Sequence, residues 1–203
     1  RFIKKDSNKD YFPLNRFNIE FIEELEFYFK VDRKISHNTT TKYLQNFNRV
    51  IKIALKKGWL RKNPFDSYSM KLKKVEKDCL EIDELTVLIN KKLDIERLDK
   101  VRDVFVFCCY TGLAFTDVKT LKKKHIVKGM DGRLWIKKKR KKTKIESSIP
   151  LLKNALKIID KYKSFPEIQE SDLVLPVNSN QNMNAYLKEI AIICGIKKNM
   201  RTH

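Results

Sequence analysis

Phe105 to Lys124 reads Phe-Val-Phe-Cys-Cys-Tyr-Thr-Gly-Leu-Ala-Phe-Thr-Asp-Val-Lys-Thr-Leu-Lys-Lys-Lys, an apolar run that ends at Gly112 and is followed at once by an amphipathic one. Val101, Val104, Phe105, Cys108 and Cys109 recur at helical spacing, which predicts a buried helix stopping at the glycine. Asp117, Val118 and Leu121 predict that a new helix starts within a few residues. A helix broken so sharply among core residues is the expected place for function.

On the N-terminal side of this stretch, Ile82, Leu85, Leu88 and Ile89 mark a short core helix, with Asp83 and Glu84 in its first turn where the helix dipole favours acidic groups. On the other side, after His125-Ile126, the period falls to two. Leu134-Trp135-Ile136 reads as a strand preceded by a turn at Gly129 and Asp131-Gly132, and Ile145, Ser147 and Ile149 alternate up to Pro150, so a small antiparallel sheet is predicted. Between the strands, Lys137 to Lys144 holds seven basic residues in eight. Such a run is a solvated hairpin tip or a phosphate-binding patch. Leu152, Leu156, Ile159 and Tyr162 predict the next helix. Met183, Leu187, Ile190, Ala191 and Cys194 predict the last, closed by Gly195.

The first part of the chain is all helical in pattern. Asn18 can cap a helix carrying Phe21, Ile22, Leu25, Tyr28 and Phe29 on one face. Asn38 can cap a longer one carrying Leu44, Phe47, Ile51, Ala54 and Leu55, with Gly58 at its C-terminal end. Trp59, Leu60 and Phe65 are further apolar anchors around Asn63-Pro64. The opposite face of the second helix offers Thr40, Lys42, Asn46 and Arg49, with His37 and Asn38 at its N-terminal end. These residue types suit phosphate and base-edge contacts, as they also suit a merely solvated face.

The 203 residues carry 45 Lys and Arg against 25 Asp and Glu, a formal net charge of +20 spread over every segment, so a polyanion is the expected partner. The spacing of Cys79, Cys108, Cys109 and Cys194 matches no metal-ligand or disulfide framework, and they read as reduced core thiols. His37, His125 and His203 form no ligand cluster, so no metal is expected. Reduced thiols are those of a cytoplasmic protein, and in addition no apolar run is long enough to span a bilayer and the first residues lack a signal-peptide pattern. The chain opens in mid-pattern at Arg1-Phe2-Ile3-Lys4-Lys5, so its N-terminal domain is expected to be incomplete.

Thr111-Gly112-Leu113 followed by Asp117-Val118 and Leu121 resembles box I of the tyrosine recombinases, the phage-integrase family. Ser36-His37-Asn38-Thr39, Tyr43-Leu44, Gly58-Trp59 and Asn63-Pro64-Phe65 resemble the core-binding domain of integrases from conjugative transposons and other mobile elements. The resemblance covers almost the whole chain, and its specificity lies in the order of motifs, each weak alone. It implies a mainly α fold with a small antiparallel β-sheet: a helical, SAM-like core-binding domain over 1–70, a basic linker over 71–78 that lies across DNA, and a mixed α/β catalytic domain over 79–203 that is C-terminally truncated. It implies double-stranded attachment-site DNA as partner, a homo-oligomer on that DNA, and strand breakage and rejoining through a 3′-phosphotyrosyl intermediate without metal or nucleotide.

Residue by residue, the resemblance places the general-acid lysine at Lys142, which precedes Pro150 by eight positions in a Lys-Thr pair. Its neighbours Lys139, Arg140 and Lys141 would hold DNA. Asp117 matches the acidic residue that supports the phosphate clamp, a position that equally suits a helix N-terminal carboxylate. His203 matches the first histidine of the Thr-His-x-x-Arg-His motif. Two departures stand out. Ala114 occupies the place of the box I arginine, so either another residue such as Arg140 approaches or this branch does without it, as resembling conjugative-element integrases often do. The motif's arginine and the nucleophilic tyrosine are absent, and Tyr110 and Tyr186 sit at core positions. The chain is therefore expected to bind DNA without cleaving it. The alternatives are a non-catalytic DNA-binding relative acting in regulation or site occupancy, which Ala114 favours, and an RNA-binding protein.

Overall fold

The computed structural model describes residues 13–76 and 78–202. The chain divides into two compact units, Arg1–Glu76 and Lys77–His203.

In the first unit the Asn18 side chain accepts the Phe21 N–H at 2.9 Å and starts α1, Ile19–Phe27, as its position in the sequence predicts. The helix runs on into a π-type turn, Tyr28–Asp32, where the Arg33 N–H reaches back five residues to the Tyr28 carbonyl. The second helix, α2, spans His37–Lys56 and begins two residues earlier than an Asn38 cap requires. Ser36 is the flanking residue, its hydroxyl bonded to Thr39 rather than to the backbone, and Asn38 lies inside the first turn with its amide engaged elsewhere. Ile22, Leu44, Ile51 and Phe65 are buried at the centre, with Phe17 and Phe65 both edge-to-face against Phe47 at 5.3 and 5.7 Å. Trp59 does not anchor this core. It is exposed, under the Lys57 ammonium at 4.7 Å from the ring centroid.

The second unit is wrapped around one helix. After α3, Ile82–Asn90, closed at its start by a reciprocal Glu81 and Glu84 capping box, comes α4, Glu96–Thr111. Every residue from Val101 to Phe107 is buried, because α3, α6 (Lys153–Tyr162) and α8 (Asn180–Ile193) all pack on α4. Two charged residues share that burial. Arg102 donates to Asp103 at 2.9 Å, to the Lys91 carbonyl at 2.7 Å and to Asp99, while Lys161 and the Tyr162 hydroxyl donate to Asp103 at 2.6 and 2.8 Å. Two cations face two anions, and each buried charge is paired and hydrogen-bonded.

Beyond α4 lie α5 (Phe115–Lys119), then β1 (Ile126–Lys128), β2 (Leu134–Lys139) and β3 (Glu146–Pro150), then α6, α7 (Pro166–Gln169) and α8. The three strands are antiparallel in the order β1-β2-β3, with Ile136 opposite Ile149 and Lys138 opposite Ser147. The molecule is thus mainly α with a small antiparallel sheet, as the sequence predicts. Some faces differ in detail. Ile82 of α3 and Leu152 are exposed, α6 buries Ala155 and Ile158 beside the expected Tyr162, and Cys79 and Cys109 are exposed rather than core. Cys108 is the more enclosed of the adjacent pair, its thiol pushed up to about 12 by burial.

Candidate functional site

The break in the central helix is built by backbone geometry. Gly112 takes φ 63°, a left-handed conformation that a side chain disfavours, and donates its N–H to the Cys108 carbonyl at 2.8 Å. The Thr111 hydroxyl bonds the Phe107 carbonyl at 2.7 Å, and Leu113 is buried. Ala114 is extended, and its carbonyl accepts from Asp117 and Val118 at 2.8 and 3.0 Å, which starts α5. Asp117 therefore faces inward and is only 2% exposed.

Three bonds then tie the basic hairpin to α5. The Asp117 carboxylate accepts the Lys141 N–H at 2.9 Å. Lys138, 8% exposed, donates its ammonium to the Asp117 carbonyl at 2.6 Å and to the Thr120 hydroxyl at 2.7 Å. Burial holds the Lys138 ammonium below the ordinary lysine range, with the Asp117 charge opposing and the Lys141 charge adding to the effect. His125 is lowered for the same reason, burial first and then Lys138, and its Nδ1 accepts the Lys122 N–H at 3.0 Å, which places the proton of the neutral ring on Nε2.

The tip closes through Arg140 N–H to the Ile145 carbonyl at 2.8 Å and Lys144 N–H to the Arg140 carbonyl at 2.9 Å. Lys139, Arg140, Lys141 and Lys142 are all exposed on it. Asp117 and this tip are therefore brought together through the Lys141 backbone. His203 lies outside the described residues. Thr202, immediately before it, is tied to the first turn of α8 by Thr202 N–H to Asn184 at 3.1 Å and by its hydroxyl to Asn180 at 2.9 Å.

In the first unit Lys42, Asn46 and Arg49 form an exposed stripe, with Arg49 donating to Asn46 at 3.2 Å. Thr40 does not belong to it. It is 0% exposed, because it lies one turn before Leu44 on the buried stripe. His37 and Asn38 turn toward the chain's own basic segment. The Asn38 amide donates to the Lys73 carbonyl and accepts from the Lys73 N–H, both at 2.8 Å, and His37 Nε2 bonds the Lys71 carbonyl at 2.9 Å. Sequence reasoning misses Gln45, Asn48 and Lys52. With Arg49 and Met70 they line a shallow pocket of about 350 Å³, and their i, i+3, i+7 spacing is the signal that could have found them.

Among the described residues no group of three or more His, Cys, Asp or Glu side chains could hold a metal ion, and no helix is long and apolar enough to cross a membrane.

Residues 1–75 match the family model described as a phage integrase SAM-like domain. A solved lambda integrase dimer (residues 75–356) bound to a COC′ core site superposes with a TM-score of 0.73 at 16% identity, over 98% of this chain and 70% of that one. The chain has the tyrosine-recombinase fold. A lambda integrase tetramer bound to a Holliday junction gives a TM-score of 0.69 at 16% identity, over 97% of this chain and 59% of that one. The XerH site-specific recombinase bound to its difH substrate, in a pre-cleavage complex, gives 0.64 at 15% identity, over 98% and 60%. The chain thus spans less than two thirds of the length of two of these three solved chains. No curated protein matches the sequence significantly.

Proposed function

We propose that this chain is the DNA-binding and catalytic part of a tyrosine-type site-specific DNA recombinase that integrates or excises a mobile element and works in the cytoplasm as a homo-oligomer on double-stranded attachment-site DNA. The observation that carries the reading is the pinning of a basic hairpin to the Gly112 helix break through Asp117, within a fold shared with recombinases solved on DNA. Residues 1–70 serve as the core-binding domain, 71–78 as linker and 79–203 as part of the catalytic domain. Lys42, Asn46 and Arg49 of α2, and Lys139, Arg140 and Lys141 of the hairpin, contact DNA.

In the complete protein a tyrosine oxygen attacks the scissile phosphorus and the bond to the 5′ oxygen breaks. Lys142 gives that departing oxygen its proton, which an ammonium can release and a guanidinium cannot. His203 contacts the phosphate, whose growing charge the basic tip neutralises. Within these 203 residues Tyr110 and Tyr186 pack against the core and are unsuited to attack, so the chain as given binds DNA without cleaving it. Ala114, at the helix break and unable to donate to phosphate, favours a second reading: a non-catalytic DNA-binding relative.

The test takes the natural gene product containing this chain, incubates it with nicked duplex carrying the element ends, and seeks protein covalently attached to DNA on a denaturing gel. A band lost on changing the nucleophilic tyrosine to phenylalanine and weakened by Lys142→Ala supports the recombinase. No band, with steeply salt-dependent binding intact, establishes the second reading.

A further inference from the structure

Lys138 breaks a local rule. Along β2 the side chains alternate, Ile136 and Lys138 inward, Lys137 and Lys139 outward, so Lys138 occupies a place where the sheet would ordinarily put an apolar residue. A charge buried there must be matched by what it holds. Its two short bonds go to the Asp117 carbonyl and the Thr120 hydroxyl, at the C-terminal end of α5 where exposed carbonyls favour a cation. Three residues along, the Lys141 N–H is held by the carboxylate of the same Asp117. One helix therefore grips the hairpin at two points, on the strand and at the tip.

We propose that Lys138 is a positioning residue, a buried strut that seats the hairpin on α5 and presents Lys139, Arg140, Lys141 and Lys142 to nucleic-acid phosphates in one fixed register. Without it the Lys141 amide is the one hydrogen bond left between the tip and α5 among the described residues, and phosphate binding must then order the loop. The inference rests on the DNA reading given above.

The 203-residue chain is titrated with duplex DNA by fluorescence anisotropy over a salt series, with amide exchange followed at Lys141. Lys138→Met is expected to keep the thermal midpoint, speed Lys141 exchange at least tenfold, weaken binding about five- to tenfold and make the salt slope shallower, by about 0.9 for every phosphate that the tip no longer neutralises. In a background with Lys139, Arg140, Lys141 and Lys142 all changed to alanine, Lys138→Met is expected to have no further effect on binding. Thr120→Val, which removes one acceptor, moves the same readouts less. Unchanged Lys141 exchange and affinity in folded Lys138→Met overturns the proposal. An equal loss in the neutralised background also overturns it, since the ammonium then acts on DNA directly. If Lys138→Met does not fold, Thr120→Val decides by the same criteria. Should the unaltered chain show no salt-dependent duplex binding, the DNA reading fails, and Lys141 exchange alone decides the strut.

Discussion

Each unit presents a basic segment held against a helix, and the two are held by opposite means. In the first, the strap of Lys71, Lys73 and Lys74 is gripped through its backbone by the neutral amide of Asn38 and the ring of His37, with the strap itself exposed. In the second, the hairpin tip is gripped by a buried ammonium and a buried carboxylate. Bonds open to water are exchanged for water at little cost, whereas charge-assisted bonds away from water break only by stranding a charge. The strap is therefore built to yield and the tip to stay.

The comparison is broken most severely at Asp117. Asp117→Leu leaves the Lys141 N–H without its acceptor and is expected to destabilise the second unit by about 2–3 kcal/mol in urea unfolding. A smaller loss would mean that the tip is no better held than the strap. Next in size is a pH effect. The folded-state pKa of Lys138 is lowered, so between that value and the ordinary lysine value the unfolded chain binds more protons, and the stability contribution of Lys138 rises as pH climbs through this window. Unfolding curves of the unaltered chain and Lys138→Met are expected to diverge toward alkaline pH in that sense. Asn38 does not titrate, so the Asn38→Ala curve should run parallel to the unaltered one.

Asn38→Ala itself is expected to cost about 1 kcal/mol or less, but to abolish exchange protection of the Lys73 amide. Smallest is His37→Ala, with a loss of about 0.5 kcal/mol and loosening confined to the backbone near Lys71. If that variant also released Lys73, the two grips would be one cooperative clasp.

Much of the architecture is legible in periodicity. Asn18 caps where it should, Gly112 breaks the central helix, and Asp131-Gly132 turns the chain between β1 and β2. What escapes are polar residues used inward. Thr40 reads as a surface group by its chemistry, although its place one turn before Leu44 puts it on the core stripe. Lys138 is hidden in a run of like charges, although it lies two residues after Ile136 and so faces the same way. Asn38 has the composition of a cap, but its partner, Lys73, is distant in sequence and nothing local announces it. In the site, the motif order points to the helix break and the basic hairpin. The bonds joining them depend on three-dimensional register, which composition does not encode.

The unbroken burial of α4 from Val101 to Phe107 has a consequence for how the protein is born. The first unit is made of residues synthesised before α4, whereas α4 obtains its last wall only when α8 has followed. With chains elongating at about 5–20 residues per second, several seconds pass in which the first unit can be complete while the second still exposes its central helix. Throughout that interval the apolar residues from Val104 to Phe107 lack the walls that later cover them.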